Sequence, residues 1–231
     1  MEILYPSNIR CISCNSMILK TNTYSLCKSC FQKIDFLDIN CMSCGAKCDE
    51  DFCQACLEET EPKSPINESY ACTVYEDVIE AMIQAFKYSS KTYLANEFSD
   101  ILRDKYKSLN LDMDYITTIP SSKKRIQKRG YNHTELLAGH LAKKINLPYT
   151  KPLIKIKETK PLASLNPLER FLEINGAFQI DEKTLNLDYK RILLIDDILT
   201  TGTTAVEVAR TLKETYPECN ITLLVLATAK K

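Results

Sequence analysis

The residues best suited to chemistry in this 231-residue chain are two adjacent carboxylates, Asp196 and Asp197, which close the apolar run Arg191-Ile-Leu-Leu-Ile195. After Ile198 and Leu199 comes Thr200-Thr201-Gly202-Thr203-Thr204, a turn of hydroxyls around one glycine that leads into an amphipathic segment. Ligands of parallel α/β folds bind outside the carboxyl ends of the strands. Backbone N–H groups at a helix N-terminus favour an anion, and Gly202 permits close approach of the main chain. The turn from Thr200 to Thr204 is therefore expected to hold a phosphate, with Asp196 and Asp197 accepting hydrogen bonds from vicinal sugar hydroxyls. A strand end and a threonine helix cap would explain single residues here, but not their order. No Gly-Lys-Ser/Thr is present, which excludes a Walker-type phosphate loop.

A second chemistry lies upstream. Nine of the eleven cysteines fall between Cys11 and Cys56, and eight of them form Cys-x-x-Cys pairs: Cys11/Cys14, Cys27/Cys30, Cys41/Cys44 and Cys53/Cys56. Two residues between thiolates let a tight turn place both sulfurs on one ion, and two such pairs complete a tetrahedron. Two structural zinc ions are expected, with no open coordination position for catalysis. Pairing neighbours in order and a cross-braced pairing both satisfy the spacing, and Cys48 is left over. The metal also supplies stability that so short a stretch lacks from its own core.

The positioning elements follow from periodicity. Val78, Met82, Ala85 and Phe86 recur at helical spacing, as do Leu94, Phe98, Ile101 and Leu102, in amphipathic segments that begin at Tyr70. Strands are expected at Tyr115 to Ile119, Arg191 to Ile195 and Ile221 to Leu226, and helices at Tyr131 to Ile145 and Thr203 to Glu214. Strands alternating with helices predict an α/β fold, a mostly parallel sheet flanked by helices. An acidic, polar stretch from Asp49 to about Pro65 reads as a linker. The expected division is a cysteine-rich zinc-binding domain of zinc-ribbon type with its linker over 1–64, ahead of an α/β domain over 65–231. With 45% hydrophobic and 26% charged residues, the composition is that of a globular chain. The opening Met1 to Ser7 lacks a basic start followed by an apolar core, and the apolar runs near Leu193 and Leu224 are too short to span a bilayer. A cytoplasmic protein is expected.

The stretch from Arg191 to Thr204 resembles the phosphoribosyl-diphosphate (PRPP) motif of type I phosphoribosyltransferases. That resemblance implies that Asp196 and Asp197 hold the ribose hydroxyls as the catalytic pair, and that Thr200, Thr201, Gly202, Thr203 and Thr204 hold the 5′-phosphate. Magnesium would accompany the diphosphate. Other stretches, Ile119-Pro-Ser-Ser-Lys-Lys-Arg125, Lys128-Arg129-Gly130-Tyr131-Asn132, Lys160-Pro161, Leu168-Glu169-Arg170, Gly176-Ala177-Phe178 and Phe86-Lys87-Tyr88, complete an order similar to that of the ComF family of competence proteins. This implies a zinc finger ahead of a phosphoribosyltransferase-like domain, a role in DNA uptake during natural transformation, and an ATP-dependent helicase partner. Ser121, Ser122, Lys123 and Lys124, with Arg125, are expected to meet the pyrophosphate, and Lys160 and Arg170 to come from a flap. His133 after Asn132, Lys160 to Ser164 without Gln and Gly, and Glu173 before Gly-Ala-Phe depart from the family pattern in the parts that close over a substrate. Thr200 stands where 6-oxopurine enzymes of the fold carry a basic Asp, which argues against that acceptor class. Glutamine-dependent amidotransfer is also unsupported, since the first cysteine belongs to a metal pair. His133 and His140, seven residues apart on one predicted helix, read more readily as packed or surface residues than as bases, although His133 sits at the start of that helix near the expected site.

Although thirty basic residues balance thirty acidic ones, the charge is unevenly distributed. Between Leu111 and Arg170 twelve basic residues stand against five acidic ones, while Asp35 to Glu68 holds nine acidic residues against two lysines. The basic span is expected to attract phosphates, and Lys123, Lys124, Arg125, Lys128 and Arg129 are the candidate grip for single-stranded DNA. Tyr88, Tyr131 and Tyr149 offer stacking faces. The second cysteine module, being acidic, is expected to serve folding or protein contact. A working phosphoribosyltransferase acting on an unidentified base or nucleotide is the alternative to a ligand-binding competence protein.

Overall fold

The computed structural model describes residues 10–59, 64–159 and 165–230. Met1 to Ser7 and Lys160 to Ser164 lie outside them. In chain order the elements are α1 (Lys28–Phe31), α2 (Gln54–Glu58), β1 (Glu68–Val74), α3 (Asp77–Tyr88), α4 (Leu94–Ser108), β2 (Tyr115–Thr118), α5 (Lys123–Arg129), α6 (His133–Ile145), β3 (Leu153–Lys155), α7 (Pro167–Ile174), β4 (Phe178–Ile180), β5 (Arg191–Leu199), α8 (Thr203–Thr215) and β6 (Asn220–Thr228).

Four strands form a parallel sheet in the order β1-β6-β5-β2, and β3 and β4 pair antiparallel as a separate two-stranded sheet. The central strands are almost wholly apolar because both faces are covered. Their period of two splits them between two cores. Leu193, Ile195, Leu224 and Leu226 face α3, α4 and α6. Ile192, Leu194, Leu223 and Val225 face α8, Ile174 and Phe178. The helices answer with stripes at three- and four-residue spacing, such as Ile79, Ile83 and Phe86 on α3 and Val208, Ala209 and Leu212 on α8, all buried.

The cysteine-rich region closes the outer edge of this sheet. Residues 35–37 run antiparallel to β1: Leu37 N donates to Cys72 O and Val74 N to Asp35 O, both at 2.9 Å. An otherwise exposed row of strand amides is thereby paired. Buried Lys105 on α4 fastens the same segment, donating to Leu37 O at 2.7 Å and Asp38 O at 2.8 Å. Asn40 reaches β1 as well, with Nδ2 donating to Ser69 O at 2.8 Å.

Several elements depart from the expected string. Tyr70 lies in β1 and not in an amphipathic helix; its neighbours are β-branched or small and pair with β6. The stretch after Pro120 forms α5, capped by Ser122 and ended by Gly130 at φ +81°. Helix α6 starts at His133, two residues later than expected. Strand β5 continues through the acidic pair to Leu199, since Asp196 and Ile198 remain in register with Val225 and Ala227 of β6. Tertiary pairing with a long neighbour overrides the local break that two carboxylates suggest.

Candidate functional site

At the carboxyl end of β5, Asp197 is buried and Asp196 half-buried. Successive strand residues point to opposite faces, so the two side chains cannot share one direction. Asp197 Oδ2 meets two groups from different helices: Lys87 Nζ in the last turn of α3, at 2.9 Å, and His133 Nε2 at the start of α6, at 2.7 Å. Arg129 brings a guanidinium nitrogen to 2.8 Å from His133 Nδ1. Because arginine only donates, Nδ1 is the acceptor and the ring proton sits on Nε2, facing Asp197.

The charges divide unequally over the pair. Burial alone raises a carboxyl's pKa, but at Asp197 the Lys87 charge and the His133 ring outweigh it and hold the group well below the usual carboxylate range. Asp196 is pushed up to about 7 by burial and by the adjacent Asp197 charge, against the pull of Lys87. Burial works against the Lys87 ammonium, yet Asp197 more than compensates and its pKa rises. The site thus holds one fixed anion and one carboxyl that titrates near neutrality.

These groups open on a cleft of about 970 Å³. One wall carries Ser121, Lys124, Arg125 and Arg129; another carries Lys155, Glu158 and Glu173; Thr204 lies at the floor end of α8. Gly202 adopts φ +81° as the residue before α8, a left-handed conformation that glycine takes without strain. Thr200 and Thr201 are exposed on this turn, and Thr201 Oγ1 lies 2.9 Å from Thr203 Oγ1.

Of the sequence-derived candidates, the structure brings Asp196, Asp197, Thr204, Ser121, Lys124, Arg125 and Arg129 onto one cleft. Thr200, Thr201, Gly202 and Thr203 form the turn itself and do not line that cleft. Ser122 is buried, and its hydroxyl accepts from Arg125 N as the cap of α5, while Lys123 is exposed. The side chain of Lys128, like Lys160, lies outside the described residues. Arg170 is occupied with Leu165 O at 2.8 Å. Tyr131 packs on Phe86 and lines the cleft; Tyr149 lies near Thr118, outside it. Sequence reasoning missed Lys87 as a site residue and set His133 aside. Lys87 merely ends an amphipathic helix, and no periodicity marks it. Lys155 was also missed; burial, then Arg125, lowers its pKa to about 8.

The metal chemistry is equally explicit. Cys11, Cys14, Cys27 and Cys30 gather their sulfurs in one group, and Cys41, Cys44, Cys53 and Cys56 in another, each within 4.8 Å. The pairing is therefore sequential and not cross-braced. Bonds of about 2.3 Å to a tetrahedral zinc put neighbouring sulfurs about 3.8 Å apart. Cys14 Sγ to Cys27 Sγ is 3.7 Å and Cys44 Sγ to Cys53 Sγ 3.8 Å. Both groups suit a closed structural zinc. Cys48 stands apart, donating to Glu50 O at 2.8 Å.

Comparison with known proteins accords with this geometry. A family model for a phosphoribosyl transferase domain matches residues 133–231. Competence protein F of Haemophilus influenzae is 27% identical over 90% of this chain and 92% of its own length. Competence protein ComFC of Bacillus subtilis is 27% identical over 92% of this chain and 81% of its own. DNA utilization protein YhgH of Escherichia coli is 22% identical over 85% and 87%. The matched domain, the parallel sheet flanked by helices and the two cysteine groups together are those of a type I phosphoribosyltransferase fold behind a zinc-ribbon-like region. Among the described residues, no helix is long and apolar enough to cross a membrane.

Proposed function

We propose that this chain, which is similar over most of its length to ComF competence proteins and carries a phosphoribosyl transferase domain match over residues 133–231, binds PRPP or a related 5′-phosphoribosyl ligand in the β5 cleft while handling single-stranded DNA during uptake. In this reading 1–64 is the metal-binding part, 65–231 the phosphoribosyltransferase-like part, and the protein is cytoplasmic. One observation carries it: a buried carboxylate, Asp197, in contact with Lys87 and His133 beside a second acid, on a cleft that Ser121, Lys124, Arg125, Arg129 and Thr204 also line.

Asp196 and Asp197 offer acceptors to two vicinal hydroxyls, and the α8 amides with Thr201, Thr203 and Thr204 take the 5′-phosphate. Lys124 and Arg125 meet the diphosphate, and magnesium, when bound, neutralises it further. Asn132 supports this wall: its Oδ1 lies 3.2 Å from Ser121 Oγ, and its buried Nδ2 has no partner among the described residues. Calorimetry with PRPP and magnesium is the direct test. Asp196→Asn with Asp197→Asn should weaken binding roughly tenfold to a hundredfold, since the Asp197 charge is removed and amide oxygens accept from the hydroxyls more weakly than a carboxylate. Equal binding by wild type and variant would refute the site.

The DNA grip falls on the basic cleft mouth. Arg129 lies over the exposed Tyr88 ring, 5.1 Å from its centroid, which pairs a phosphate contact with a stacking face. Reversing the charge of Lys123 and Lys124 should weaken single-stranded DNA binding and flatten its salt dependence, whereas changing Asp49 and Glu50 to Ala should not weaken it. A helicase partner rests on the family likeness alone. A turnover reading is favoured by Lys155, which lines the cleft and whose pKa, lowered to about 8 by burial, leaves a fraction of it deprotonated near neutral pH. Pyrophosphate release from PRPP with an added base or nucleotide, absent in Lys155→Met, would establish it.

A further inference from the structure

The second cysteine group lies against the chain that leads into the phosphate turn. Gly45, just after Cys44, has φ +71°, and a Cβ on it would stand 2.3 Å from Leu199 Cδ2. Leu199 is buried as the last residue of β5, immediately before Thr200. On the same knuckle Ser43 O accepts from Ser69 Oγ at 3.2 Å, and Lys47 N donates to Lys230 O at 3.2 Å. Lys230 returns to the turn: its Nζ lies 3.7 Å from where a Cβ on Gly202 would be. Among the described residues, the first cysteine group has no such link. It packs into the opposite core, and its neighbour Tyr24 donates to Asp104 on α4 at 2.8 Å.

We propose that the second metal knuckle positions the phosphate turn, through Gly45 on Leu199 and Lys230 beside Gly202, with Lys230 serving as a cation for the ligand's 5′-phosphate. The proposal rests on the phosphoribosyl reading of the turn. Coupling between two sites is reciprocal. Ligand at the turn must therefore slow metal loss from Cys41, Cys44, Cys53 and Cys56, and an intact knuckle must strengthen ligand binding.

The test uses the full zinc-loaded chain. Cysteines are labelled with N-ethylmaleimide in the presence of a chelator, with and without PRPP and magnesium, and each thiol is followed by peptide mapping. In the same samples calorimetry reports whether PRPP binds. Saturating PRPP should slow labelling of the second group by about fivefold or more and leave Cys11, Cys14, Cys27 and Cys30 unchanged. Lys230→Met should lose about tenfold in PRPP affinity together with the protection, and Lys230→Arg should recover much of both. Gly45→Ala should weaken PRPP binding too, but Lys230→Met carries the test if that variant does not fold. If PRPP binds the wild type and both groups label at unchanged rates, the coupling is wrong while the ligand reading stands. Absence of PRPP binding would remove the ligand reading and the coupling with it.

Discussion

Residues 10–59 and the parallel sheet reach order by different physical routes. In the sheet, Ile192, Leu193, Leu194 and Ile195 are fully buried in succession, and each face is covered by helices. In the cysteine region the buried positions include Cys11, Cys30 and Cys41, and helices α1 and α2 have four and five residues, too short to stand alone. The sheet is stabilised by non-directional burial. The cysteine region depends on directional bonds to metal, and on what it leans against.

Removing metal should separate the two most sharply. Structural zinc contributes on the order of 10 kcal/mol to small metal-bound folds. Stripping it with a chelator should abolish amide protection in residues 10–59, including residues 35–37 on the edge of β1. Amides of β5 and β6 should stay protected in hydrogen exchange; their simultaneous loss would show that the sheet has no independent stability. Next in size is Lys87→Met, which leaves the buried Asp197 charge without its cation and should cost about 3–5 kcal/mol in denaturant unfolding. It touches the sheet region alone, so the metal content should not change.

The pH dependences should run in opposite directions. Metal ligands must be deprotonated, so the cysteine region gains stability as pH rises. Asp196, raised on folding from 3.8 to about 7, favours the folded state below its unfolded pKa. That contribution is lost as pH rises through about 7, on the order of 1 kcal/mol per pH unit across the window. Asp196→Asn should flatten the slope of sheet unfolding between pH 5 and 7 and leave metal release unaffected. The smallest effect is Ser122→Ala. Removing this helix cap should cost about 1 kcal/mol and shift ligand affinity only through Lys124 and Arg125.

Deleting residues 35–64 is a poor probe of whether the acidic module touches DNA. Residues 35–37 pair with β1 and Leu37 is buried, so such a loss would report on the fold. Single charge changes at Asp49 and Glu50 avoid this.

What the chain declares by itself is whatever depends on neighbours in sequence. Two residues between thiols mark a metal knuckle wherever it sits, and Asp196, Asp197 and the glycine turn are consecutive, so strand, acids and phosphate turn are legible together. Helical stripes such as Val78, Met82 and Phe86 announce a buried face for the same reason. Only the tertiary structure decided which cysteine pairs share an ion, because two pairings obey one spacing. Only the fold brings Lys87 and His133, 46 residues apart in sequence, to one oxygen of Asp197. The contact of Gly45 with Leu199 belongs to the same class. Such meetings depend on how helices and knuckles pack onto a sheet, and packing brings together residues that no local pattern connects.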